Sequence, residues 1–165
     1  LLYKLKDQKG VDIIKDIINS IGDEGFTPLQ LAAKYTNDPK IITRLIAWGA
    51  DPDFVPASEK KSILKNPIKK TFGEDLVEKP IHIAASRKDE LRGQILLRLI
   101  SGGADVLAKD KKGHTALHKL IETEKESIGI YTDFEMGLLI KAEILQRSIV
   151  GELTKRKKMK EVKSP

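Results

Sequence analysis

The chain has 165 residues, 40% hydrophobic and 33% charged, with a net charge of +6 and no cysteine. That length can bury one real core, and the missing cysteine excludes disulfides, thiolate metal sites and cysteine nucleophiles. No stretch approaches the roughly 20 apolar residues needed to span a bilayer.

The charge is local. Residues 155–163, KRKKMKEVK, hold six cations against Glu161, a net of +5, which leaves +1 for everything else. A phosphate-binding surface needs a basic stripe across the folded body, and none is visible, so nucleic acid is not the expected partner. The chain opens on Leu1 rather than methionine, and a monomeric piece of a longer intracellular, cytoplasmic protein is expected.

Residues 11–21, VDIIKDIINSI, set Ile13, Ile14, Ile17, Ile18 and Ile21 on one helix face. With LLYKLK before it as the remnant of another helix, 1–22 reads as an N-terminal partial or capping unit. GFTPLQLAA (25–33) then opens with a turn. Thr27 can cap the first orphan amides and Pro28 presets φ for a helix. Ala32 and Ala33 keep that helix thin. IITRLIAWGAD (41–51) follows, with Ile41, Ile42, Leu45 and Ile46 as core and Gly49 ending the helix. Trp48 reads as a partly buried packing residue.

Residues 54–77 read as an insertion, with a short helix between Pro56 and Pro67 capped by Ser58 and anchored by Ile63 and Leu64. EKPIHIAAS (78–86) then repeats the turn and thin helix, and ILLRLISGGAD (95–105) repeats the apolar helix, with Leu96, Leu97 and Ile100 as core and Gly103 as terminator. GHTALHKLI (113–121) begins the pattern again with Ala116 for proline and Leu120-Ile121 for Ala-Ala. Thr132-Asp133-Phe134-Glu135 has the spacing of a capping box. The helix after it, with Leu138, Leu139, Ile140, Ile144, Leu145 and Ile149, suits a terminal cap.

Three turn–helix matches in register and two Gly-Ala-Asp matches are the mark of an array. The pattern resembles the ankyrin repeat, strongly over about 110 residues. The resemblance implies an all-α fold: a solenoid of stacked helix-turn-helix units with β-hairpin-like turns, three to four units in all, the last irregular. The units would be 1–22, 23–53, 78–109 and 110–153, with 54–77 inserted and 154–165 a basic tail or linker.

It further implies a non-catalytic module that binds a partner protein on a concave face of turn tips and first helices. Matched residue by residue, the partner-binding positions are Asp23, Glu24, Phe26, Lys34, Tyr35, Glu78, Ser86, Arg87, Lys111, Lys112, His114, Glu122 and Thr123. These are side chains the repeat does not need for its own packing. Phe26 and Tyr35 are the expected anchors, because aromatics bury much area for little lost rotamer freedom. The mixed signs across this face favour a protein over a polyanion.

His82 and His118 fall where the family uses an imidazole to bond turn backbone, and Gln30 holds that place in the first unit. His114 and His118 are four apart but lack the other ligands of a zinc site, so no metal is expected. No nucleophile–base motif or phosphate loop appears, so no catalytic residue, cofactor or small-molecule substrate is expected.

The tail reads as a nuclear-import signal, a contact with an anionic membrane or with nucleic acid, or a solvated continuation of the last helix. The 24 Lys against 6 Arg suit an AT-rich genome. That leaves an alternative reading, the targeting arm of a secreted bacterial effector or enzyme acting in a host cytosol.

Overall fold

A computed structural model describes residues 8–23, 25–54, 78–125 and 132–161. Expectations for LLYKLK, for Glu24 and for residues 55–77 of the insertion, with Ser58, Ile63 and Leu64, lie outside the described residues. Among the described residues there are seven helices and no strand. They are α1 (Gln8–Ile18), α2 (Pro28–Tyr35), α3 (Lys40–Ala47), α4 (Pro80–Ala85), α5 (Arg92–Ser101), α6 (Ala116–Lys125) and α7 (Thr132–Glu161).

The helices pack in pairs and in rows. α2 lies on α3, α4 on α5, and α6 on α7. Across the pairs, α4 touches both α2 and α6, while α5 touches both α3 and α7. One row is therefore α2–α4–α6 and the other α3–α5–α7. This is the arrangement expected of ankyrin-like helical repeats.

Local chemistry starts these helices. Gln30 N donates to Thr27 Oγ1 at 3.2 Å and Thr27 N donates to Gln30 Oε1 at 2.8 Å, a reciprocal cap with Pro28 at the first position. α4 also begins on proline, but Lys79 stands in the capping place and offers no acceptor. Its ammonium instead reaches Asp53 at 3.2 Å. The turns before α2 and α6 match. Gly22 N donates to Phe26 O and Gly25 N to Gly22 O, while Asp110 N donates to His114 O and Gly113 N to Asp110 O. Gly25 and Gly113 have φ of +82° and +83°, the left-handed region that favours glycine. The hairpin-like turns are thus present without strands.

The rows close over one core. Leu29, Ile81, Ile95, Leu96, Leu99, Leu120 and Leu139 are fully buried, and Ala32, Ala33, Ala84 and Ala85 are buried between them. With no side chain beyond Cβ, the alanines let α2 and α4 approach closely. Polar clamps tie successive segments. Asn19, just past α1, donates to Gly49 O and accepts from Asp51 N. Both Asp53 oxygens accept from Asp105 N. Gln146 on α7 accepts from Val106 N and donates to Ala104 O.

Several expected core residues lie outside it. At 100° per residue, Leu97 falls away from the arc of Ile95, Leu96 and Leu99, and Ile41 sits at the rim of the arc centred on Ile42; both are exposed. On α1, Ile18 is buried but Ile13 and Ile17 are exposed. Trp48 is 54% exposed rather than partly buried, because it follows α3 at the point where the chain leaves the helix. Of the capping box expected at 132–135, the Thr132 side chain lies outside the described residues, and Glu135 directs its carboxylate to the start of α5. That carboxylate is buried with Oε1 3.7 Å from Arg92 Nε. Gly93 makes the room, since a Cβ there would come within 3.1 Å of Glu135 Oε1 and of the Phe134 ring. α7 runs as one helix to Glu161, so the backbone of the expected tail continues it that far.

Candidate partner-binding cleft

Residues from three helices and one turn meet in a cleft of about 340 Å³. Phe26 comes from the turn before α2, Lys34 from the end of α2, and Ile83 from α4. Ser86 and Arg87 follow α4, Glu78 precedes it, and Lys119 reaches in from α6. The thin alanine faces of α2 and α4 bring these longer side chains within reach of one another.

Lys34 organises one wall. Its ammonium lies 5.0 Å from the centre of the Phe26 ring and 4.9 Å from that of Tyr35. The charge favours the electron-rich ring faces, which holds two aromatics around one exposed cation. Tyr35 is 60% exposed, Phe26 is half-buried, and Tyr35 stands beside the cleft rather than lining it.

Lys119 organises the opposite wall. Its Nζ lies 2.6 Å from Glu78 Oε1 and 3.3 Å from Asp110 Oδ2. Burial alone would lower the Lys119 pKa, but Glu78 and then Asp110 outweigh it and hold the ammonium above its ordinary 10.5. Burial would likewise raise Asp110. The His114 amide, the Lys119 ammonium and the Lys112 amide prevail and keep that carboxyl below its ordinary 3.8.

Arg87 was expected to be surplus to packing, and it is not. Nη1 donates to Ala33 O at 3.1 Å and to Lys34 O at 2.8 Å, Nη2 donates to Thr36 O at 3.1 Å, and Asp89 takes a further two bonds. The guanidinium thus satisfies the orphan carbonyls at the end of α2, which a planar fork of five donors suits well. Thr123 is also buried, with its hydroxyl donating back to Lys119 O. Both side chains serve the stack.

The remaining expected positions scatter. Asp23, Lys111 and Lys112 are exposed and line no part of the cleft; Ser86 lines it and spends its hydroxyl on His82 O. His114 is half-buried, with Nδ1 3.3 Å from Glu122 Oε1 and its ring stacked on His118 at 5.8 Å. Lys119 and Ile83 were not among the expected residues. Lys119 stands where the other pairs have Leu31 and Ile83, and that change from apolar to charged was the available signal.

A larger cleft of about 490 Å³ lies in the other row, between α3 and α5, with Ile46, Ala47 and Leu97 among its walls. Arg98 is the one charged side chain among its lining residues and donates to Thr43 Oγ1 at 3.1 Å, so no set of convergent charges is offered there. Among the described residues, no group of three or more His, Asp or Glu could hold a metal ion, and no helix is long and apolar enough to cross a membrane.

His82 is buried, and its Nε2 lies 3.1 Å from Ala108 O. A carbonyl can only accept, so Nε2 carries the proton. His118 turns to its own helix start, where Nδ1 faces the Thr115 hydroxyl at 2.9 Å. The same location in the first pair holds Gln30, whose Nε2 donates to Glu78 O at 2.8 Å. The capped turn, thin helix, second helix and glycine terminator of the first pair coincide with a segment matched by a family model: residues 24–55 match Ankyrin repeat. The chain carries an ankyrin repeat. Ankyrin repeats as a class are interaction modules that bind other proteins, and they are typically non-catalytic. Within this one, the glycine at 49 has φ +101° and ends α3, and Gly103 repeats the device at φ +95° after α5.

Proposed function

We propose that this chain is a non-catalytic protein-binding module: an ankyrin-repeat solenoid of three to four units, whose partner docks on the concave side of the α2–α4–α6 row. One observation carries the reading. Phe26, Lys34, Glu78, Ser86 and Lys119 converge on an open cleft from separate segments, and Tyr35 stands exposed beside it. Such a mixture of aromatic area and both charge signs suits a protein surface or an extended peptide. We keep Asp23, Glu24, Lys111, Lys112, His114 and Glu122 as further proposed contacts of the partner. Arg87 and Thr123 belong to the scaffold instead.

The test is quantitative capture of a partner by the chain and by two variants, Phe26→Ala and Tyr35→Ala, each shown by circular dichroism to be folded. Loss of roughly tenfold or more in affinity in either variant is the expected result. Unchanged binding in both would remove this face from the interaction.

A further inference from the structure

The last helix has an open side whose pattern is its own mirror image. α7 packs on α5 and α6 through Glu135, Leu139 and Ala142, which are buried, and through the Gln146 clamp. Directly opposite lie Gly137, Ile140, Ile144, Ser148 and Gly151, all exposed. At 100° per residue they share an arc of about 80°. Ile140 is 46% and Ile144 62% exposed, and a Cβ at Gly137 or Gly151 would meet no heavy atom within 4 Å. An apolar strip with glycine at both ends lets a second helix come close along its whole length.

The spacing of these five residues is symmetric about Ile144. If a second copy of α7 is laid antiparallel on the strip, Ile144 meets Ile144, Ile140 meets Ser148, and Gly137 meets Gly151. That is the self-complementarity a two-fold interface requires. Charge selects the direction. The first turn of α7 holds Asp133, which is exposed, while the sequence at its far end carries five cations within 155–160. Antiparallel pairing sets Asp133 against position 155 of the other copy and opposes the helix dipoles. Parallel pairing would align the basic run with itself.

We propose that α7 is a self-association helix, through which two copies of this chain pair antiparallel about Ile144. None of the five strip residues lines the cleft between α2 and α4, so a pair would present two copies of that cleft to one partner. A monomer is the expectation this proposal replaces.

Sedimentation equilibrium of the full chain, from about 1 µM to about 1 mM, should show the mass rising from 18.4 kDa toward twice that value. Ile144→Asp and Ile140→Asp, at exposed positions, should hold the lower mass with an unchanged circular dichroism spectrum. Because the chain has no cysteine, register can be read by oxidation. Ile144→Cys should cross-link to itself. Gly137→Cys should link to Gly151→Cys in a mixture and not to itself, since disulfides need Cα atoms within about 7 Å. A chain monomeric at about 1 mM overturns the proposal. So does a dimer that survives Ile144→Asp, self-linking of Gly137→Cys, or binding of anionic phosphatidylserine vesicles with no self-association.

Discussion

Gln30 and His82 stand at the same place in successive helix pairs and make the same bond. Each donates a side-chain N–H to a backbone carbonyl further along the chain, Gln30 to Glu78 at 2.8 Å and His82 to Ala108 at 3.1 Å. Both side chains are fully buried. Two chemically different residues therefore serve as one structural part.

That equivalence predicts the outcome of exchange. His82→Ala leaves the Ala108 carbonyl without its donor and opens a void, and should cost about 2–4 kcal/mol in urea denaturation. His82→Gln keeps a donor of similar reach and should cost less than about half as much. Equal losses in the two variants would show that the ring fills space and the bond matters little.

The same site sets a pH dependence. Burial pushes the His82 pKa below its ordinary 6.5, with the Ala108 bond opposing the shift only in part. As pH falls below about 6.5 the unfolded chain takes up a proton that the folded chain refuses, so stability drops until the lower folded value is passed. Above about 6.5 the contribution is complete. Denaturation midpoints measured between pH 7.5 and pH 5 should therefore fall more steeply for the parent chain than for His82→Gln. Parallel slopes would contradict the assignment.

Arg87 closes the end of α2 through three backbone carbonyls. Arg87→Ala should cost about 3 kcal/mol, because buried carbonyls are left without donors. Arg87→Lys should recover little of that, since a single ammonium cannot reproduce the fork. Thermal and urea unfolding of both variants would decide, and full recovery by lysine would refute the geometric argument.

Lys119 keeps Glu78 and Asp110 apart in charge. Lys119→Met should cost about 2–3 kcal/mol at neutral pH by leaving two partly buried carboxylates uncompensated. Because the ammonium is held above 10.5, its contribution is whole below that value and is lost as pH rises through the higher folded one. Asp110 behaves oppositely: its contribution is present above 3.8 and is lost as pH falls. Stability profiles of parent and variant should converge at both extremes.

Gly113 isolates a backbone effect. Its φ is +83° and a Cβ would meet nothing within 4 Å, so Gly113→Ala should cost about 1 kcal/mol from conformation alone. Gly49→Ala should cost more, because at φ +101° the added Cβ also comes within 2.9 Å of Lys15 Cγ. Calorimetric melting of the two variants gives the comparison directly.

Much of this architecture was legible one residue type at a time. Thr27, Pro28, Ala32, Ala33 and Gly49 each have a conformational or steric property that acts locally, so their order announces turn, thin helix and helix end before any packing exists. The cleft was only half legible. Phe26 and Lys34 could be placed from the repeated pattern, but nothing along the chain joins Lys119 to Glu78, which lie 41 positions apart.

The same string that made Arg87 look spare hid its use, because the carbonyls it binds are more than 50 positions away. Glu135 carries the spacing of a cap, and nothing in that local spacing shows that its carboxylate also faces Arg92 where Gly93 leaves room. Sequence determined where helices begin, how thick they are and where they end, since those follow from φ preferences and side-chain size within a few residues. Tertiary structure decided which charged side chains stay free, because that depends on the unsatisfied backbone groups and counter-charges that folding carries to them from distant positions.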